Sequence, residues 1–83
     1  LVSSQQKAKL KWQCRRGMLE LDLMLNKFFL SHLDQLNEIQ LHAFEQLLTY
    51  SDPEIYCWLI GQETPFDQEI LDIVALIQSQ HPN

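Results

Sequence analysis

The 83-residue chain has almost no glycine, only Gly17 and Gly61, and that scarcity removes a class of functions. A phosphate-cradling loop needs several glycines close together so that backbone amides can face the anion, and two distant ones cannot build it. Cysteine is equally scarce. Cys14 and Cys57 show no CxxC spacing, and His32, His42 and His81 are scattered, whereas a closed zinc site needs four convergent ligands. Free thiols are the default reading; a disulfide would depend on a Cα separation that sequence does not give. Long apolar runs are also missing. No stretch approaches the roughly 18–20 residues of a membrane span, and Lys7, Lys9 and Lys11 are not followed by a signal-peptide core, so no membrane insertion is expected.

The scarcest feature is positive charge beyond the start. All six cations (Lys7, Lys9, Lys11, Arg15, Arg16, Lys27) lie in residues 1–27, beside Glu20 and Asp22. Residues 28–83 hold nine carboxylates and no Lys or Arg, which sets the net charge at −5. Such a body repels nucleic acid, while the basic end would seek an acidic or phosphate-bearing partner.

What is present points to helix throughout. The apolar content of 46% and charged content of 20% describe a chain that folds, as one domain over residues 1–83 with 1–4 and 79–83 frayed. Gln5 to about Cys14 pairs Leu10 with Cys14 at i, i+4 in a first helix. Leu21, Met24, Leu25, Phe28 and Phe29 recur at 3.6-residue spacing in a second, to about Ser31. Asn37 stands as a cap before Leu41, Phe44, Leu47 and Leu48, which define a third helix to about Tyr50. Ser51-Asp52-Pro53 opens a short fourth helix with Asp52 as its cap, carrying Ile55, Trp58 and Leu59 inward and stopping near Gly61. Thr64-Pro65 repeats the cap-plus-proline signal before Phe66, Ile70, Ile73, Val74 and Ile77, the best periodic match of all. Short connections between five such helices predict an all-α, compact antiparallel five-helix bundle with Phe28, Phe44, Trp58 and Phe66 in its core.

Catalytic constellations are thin. Neither thiol has a His within a helical turn, and the carboxylates Glu63, Asp67, Glu69 and Asp72 read as a solvated face rather than an acid–base pair, so the chain is not expected to be an enzyme. The unusual segment runs from Trp12 to Asp22, where Arg15 and Arg16 meet Gly17 at a helix junction. Two readings are open. One is a helix–helix turn with solvated charges, with Glu20 one turn below Arg16 and the pair worth a few tenths of a kcal/mol if the second helix begins that early. The other is a docking knob, in which Arg16 presents a rigid donor fork, Gly17 leaves a gap in the surface and Glu20 orients the fork or meets a partner.

Arg16-Gly17-Met18-Leu19-Glu20 resembles the Arg-Gly-x-x-Glu motif of the succinate dehydrogenase flavinylation (FAD assembly) factor family, with Trp12 and Cys14 before it and Asp22 after it in that family's arrangement. Asp52-Pro53 with Trp58-Leu59 and Gly61 is similar to a second family signature, and Pro65 with Asp67 and Glu69 to the start of its last helix. The likeness covers residues 7–78. It implies a helical bundle that binds the flavoprotein subunit of succinate dehydrogenase, or of fumarate reductase, and favours covalent attachment of FAD without supplying catalytic groups. On this resemblance the contact residues are Arg16, Gly17 and Glu20, flanked by Arg15, Trp12, Met18 and Asp22, and FAD belongs to the client rather than to this chain. Lack of a mitochondrial presequence tilts the expected location to a bacterial cytoplasm. An antitoxin-type or other regulatory interaction module is the competing expectation, and a direct FAD carrier using Arg15 and Arg16 a third.

Overall fold

The computed structural model describes residues 3–80; of the ends expected to fray, 1–4 and 79–83, residues 1, 2 and 81–83 lie outside the described residues, whereas Ser3 caps α1, Ser4 begins it and Ser79 ends α5. Five α-helices follow one another: α1 Ser4–Gln13, α2 Leu19–His32, α3 Glu38–Leu47, α4 Asp52–Leu59 and α5 Gln68–Ser79, with a single 3-10 turn, Leu33–Gln35, after α2. The expected all-α helical bundle is what is found. Its radius of gyration of 11.7 Å is the ordinary value for a folded domain of this length.

Local chemistry explains most helix ends. Ser3 accepts from the Gln6 amide to open α1. Asn37 and Gln40 form a reciprocal capping box at α3, and Ser51 and Glu54 form another at α4, with Pro53 in the first turn where a missing amide costs nothing. The expected cap Asp52 is therefore displaced by its neighbour, and its carboxylate is released for other work. At the far end of α4, Gly61 adopts φ +82°, and the Gly61 and Gln62 amides donate back to the Trp58 and Cys57 carbonyls in a Schellman arrangement. Thr64-Pro65 does not open α5. Asp67 does, accepting from the Glu69 and Ile70 amides, because a carboxylate beside two orphan donors outcompetes a hydroxyl three residues earlier.

That shift carries Phe66 out of the core. It precedes the cap, lies outside the helical period and is wholly exposed, while Pro65 is buried in its place. Trp58 is only partly buried against the core, packing edge-on to Tyr50 with centroids 4.9 Å apart. The central aromatic pair is Phe28 with Phe44, fully buried, tilted, and 5.4 Å between centroids. Around them one continuous core joins Leu10 and Cys14 of the first helix segment, Leu21 and Leu25 of α2, Leu47 of α3, Ile55 of α4 and Ile73 and Ile77 of α5. The α3 and α5 helices share the most extensive contact.

Both cysteines are free, and they differ in kind: Cys14 is buried and Cys57 only partly so. Burial pushes the Cys14 thiol from its ordinary 9.0 up to about 12, against the opposing pull of Arg16. The unfolded chain therefore ionises first as pH rises, so this group's contribution is complete below pH 9.0 and is lost progressively towards about 12. Between about pH 8 and about pH 10.5, urea denaturation should show a larger stability loss in the native chain than in a Cys14→Ala variant. In the same assay Phe44→Ala should cost about 3–5 kcal/mol and Ser51→Ala about 1 kcal/mol. Phe66→Ala should stay within about 0.5 kcal/mol, the opposite of what its periodic position suggests.

Candidate functional site

The segment between α1 and α2 is short, bent and tightly tied. Arg16 is not on α2, which begins at Leu19, so the predicted Arg16–Glu20 pair one helical turn apart does not form. The Arg16 guanidinium turns inward instead. One terminal nitrogen donates to the Leu48 carbonyl at 2.5 Å; the other donates to the Tyr50 carbonyl at 3.4 Å and to Asp52 Oδ1 at 3.2 Å. The two side chains of this ion pair are only 13% and 24% exposed. Arg16 thus joins the α1–α2 turn to the α3–α4 turn, neutralising carbonyls left over at the end of α3 and the carboxylate released from capping α4.

Backbone bonds complete the clamp. The Met18 amide donates to Asp52 Oδ2 at 3.3 Å, and the Arg16 amide donates to Asp22 Oδ1 at 2.9 Å. Asn26 Nδ2 donates to the Asp22 and Cys14 carbonyls at 2.8 and 3.3 Å, fastening the end of α1 to the second turn of α2. Asp22 is therefore a holder of the turn rather than a flank of an exposed surface. Met18 is partly buried against the core.

Gly17 is exposed at the apex of this clamp. An added Cβ would meet nothing closer than Asp52 Oδ2 at 4.0 Å, and its φ is not positive, so neither space nor backbone geometry in this fold demands glycine. Glu20, also exposed, accepts from the Tyr56 phenol at 2.7 Å. That bond, and next the carboxylate charge itself, raise the Tyr56 phenol above its ordinary value. Glu20 is oriented from α4, not by Arg16.

The seven sequence-predicted residues divide accordingly. Arg16, Met18 and Asp22 converge beneath the turn. Gly17 and Glu20 remain outside, as do Arg15 and Trp12, the latter 73% exposed. Sequence reasoning missed Asp52, Asn26 and Tyr56 as members of this group. It also missed Leu19 and Leu23, exposed on the face of α2 opposite its buried stripe. A signal for Asp52 was available, since Ser51 already offers a cap and two caps are not needed. Leu19 and Leu23, like Leu30, could have been found as apolar residues of α2 left outside the Leu21, Leu25, Phe28 series.

Among the described residues no cluster of three potential metal ligands occurs, and no helix is long and apolar enough to cross a membrane.

The geometry can be set beside known proteins. The family described as "Flavinator of succinate dehydrogenase" matches residues 8–81 of the chain, which include the whole clamp. A protein of Legionella pneumophila (strain Paris) named FAD assembly factor SdhE is 50% identical over 78 residues, covering 94% of this chain and 98% of that one. Proteins of the same name from Yersinia pseudotuberculosis and Coxiella burnetii are 41% and 43% identical, over 90% and 84% of this chain and 85% of each relative. With the family matched across nearly its full length and half of all positions shared with one member, the chain belongs to the family of succinate dehydrogenase flavinators.

Proposed function

We propose that the chain is an assembly factor that binds the flavoprotein subunit of succinate dehydrogenase and promotes covalent attachment of FAD to it, acting by positioning and not as an enzyme. The observation that carries this reading is Gly17: a glycine that its own fold does not require, exposed at the apex of a turn clamped by Arg16, Asp52 and Asp22. A turn bare of side chain and rigid from below lets a second protein come close to the backbone, and little conformational entropy is lost when it does. Glu20, held by Tyr56, supplies an oriented acceptor beside it, and Arg15, Trp12 and Leu19 border the contact.

The flavin belongs to the client in this reading. The Arg16 fork is engaged inside the fold, so a direct FAD carrier would have Arg15 but not Arg16 for pyrophosphate. An assembly factor accelerates by holding its client in the arrangement in which the acceptor side chain and the flavin meet. Each tenfold preference for that arrangement needs about 1.4 kcal/mol of differential binding, well within one docking surface. The flavoprotein of fumarate reductase poses the same task and is a second client on the same grounds. The bacterial origin of the relatives supports action in a bacterial cytoplasm.

In-gel flavin fluorescence of a purified client subunit, with and without this chain, tests the reading. Gly17→Arg and Glu20→Arg should keep native helical circular dichroism and melting behaviour yet abolish the complex and the gain in covalent flavin, whereas Gly17→Ala should keep the native fold and weaken the complex without abolishing it. Asp52→Asn should behave differently, lowering stability by roughly 1–3 kcal/mol before it affects the client, because it strips the Arg16 charge of its partner. Full flavinylation by a folded Gly17→Arg protein would sink the proposal.

A further inference from the structure

A second surface lies away from the clamp's apex, and its properties are those of a recognition groove. Between the α3–α4 turn and the start of α5 runs an open groove of about 580 Å³, walled by Tyr50, Trp58 and Phe66 and rimmed by Glu54, Glu63 and Asp67. Phe66 stands immediately before the α5 cap, the position from which an apolar side chain ordinarily packs back onto the first turn of its helix as a hydrophobic staple. Here it does not, and the whole ring is left in water beside the groove. Leaving a phenylalanine exposed forgoes the stabilisation that its burial would bring, so the ring is available to whatever fills the groove. The opposite wall is the edge-to-face Tyr50–Trp58 pair, both rings half-buried.

Charge determines the kind of occupant. Three carboxylates rim the groove, and residues 28–83 contain no Lys or Arg to answer them. Among the described residues the ion pairs are Lys7 with Asp34 and Arg16 with Asp52, neither of which draws on the rim. Glu54 and Asp67 also cap helices, which leaves Glu63 as a rim charge with no role in the fold. Aromatic faces together with uncompensated carboxylates attract a cation carried on an apolar stem, and arginine satisfies both through its planar guanidinium.

We propose that this groove binds an extended peptide segment of a partner protein in which arginine or lysine alternates with apolar residues, the cation lying between the aromatic walls and Glu63. The proposal does not rest on the flavinylation reading: it concerns a different surface, with acidic character opposite to the basic region around Arg15.

Titration of the isotope-labelled full chain with the probe peptide Leu-Arg-Leu-Arg-Leu amide, followed by amide and indole NMR shifts, tests it. Expected is a saturable response centred on Tyr50, Trp58 and Phe66, weakened by salt and absent for the analogue in which glutamate replaces arginine. Phe66→Ser and Glu63→Lys, both at exposed positions, should each weaken binding about fivefold or more while the unliganded spectrum stays native. Equal binding of the glutamate analogue, shifts confined to another face, or no saturable response up to on the order of 1 mM would each overturn the proposal. A Phe66-dependent dimer in sedimentation would overturn it too, in favour of a second copy of this chain as the occupant.

Discussion

The Arg16 guanidinium is the tie on which the arrangement of this small bundle depends. Two interhelical turns far apart in sequence must lie side by side, and each brings an electrostatic difficulty: the end of α3 leaves carbonyls at Leu48 and Tyr50, and the start of α4 carries Asp52, which Ser51 has displaced from capping. One planar cation with several donors in a fixed plane answers both. Lysine could neutralise the charge but could not address two carbonyls and a carboxylate from one rigid group. The remaining Asp52 oxygen then holds the Met18 amide, so the ion pair also sets the backbone of the turn that it crosses. Interactions of this kind contribute less to net stability than to the choice of one geometry, since desolvating both charges offsets much of their attraction.

That division separates the surface into two electrical characters. Near the turn, exposed Arg15 lies with exposed Trp12 and Leu19, and every cation belongs to α1, that turn or α2, whereas residues 28–83 contribute carboxylates alone. The Lys7–Asp34 contact bridges the two regions at 3.8 Å between exposed side chains, too weak to govern their placement. Segregation survives folding because, among the described residues, the only ion pair with both side chains largely buried, Arg16 with Asp52, joins the two regions inside and not on the surface. A partner approaching the turn therefore meets a local field unlike that of the molecule as a whole, and net charge alone would mislead about which face it prefers.

Most of the helical framework was legible from period and punctuation. Leu10 with Cys14, the α2 series through Phe29, the Asn37 cap and the Gly61 terminus are local signals that nothing in the tertiary structure opposes. What was not legible came from competition between adjacent candidates. Ser51 and Asp52 could each cap α4, and Thr64 and Asp67 could each open α5; local rules rank such residues closely, and at α4 the long-range partners of Asp52 accompany the choice of Ser51. Phe66 shows how one such decision propagates: a cap three residues later moved an aromatic from core to solvent and opened a groove. The candidate site had the same limit. Spacing could place Arg16 and Glu20 within reach on a continuing helix, but only the long-range approach of residues 48–52 determines that Arg16 turns away from it, and Tyr56 enters through the same approach.

A five-residue motif that reads as one unit is in physical terms two. Arg16 acts inward through bonds made within its own fold, while Gly17 and Glu20 point outward and the fold gives no reason for the glycine. Loss of binding on substitution can therefore arise by two routes. At Arg16 or Asp52 the turn itself loses its fixed shape, and affinity falls because ordering must occur at the moment of contact. At Gly17 the turn keeps its shape, and an added side chain occupies the space that a partner's backbone would take. The first route couples binding to stability and the second leaves stability untouched, so the two classes separate along an axis that sequence position does not reveal. Adjacent residues of one motif belong to different classes because the chain reverses direction between them, with the buried fork on one side of the turn and the bare apex on the other.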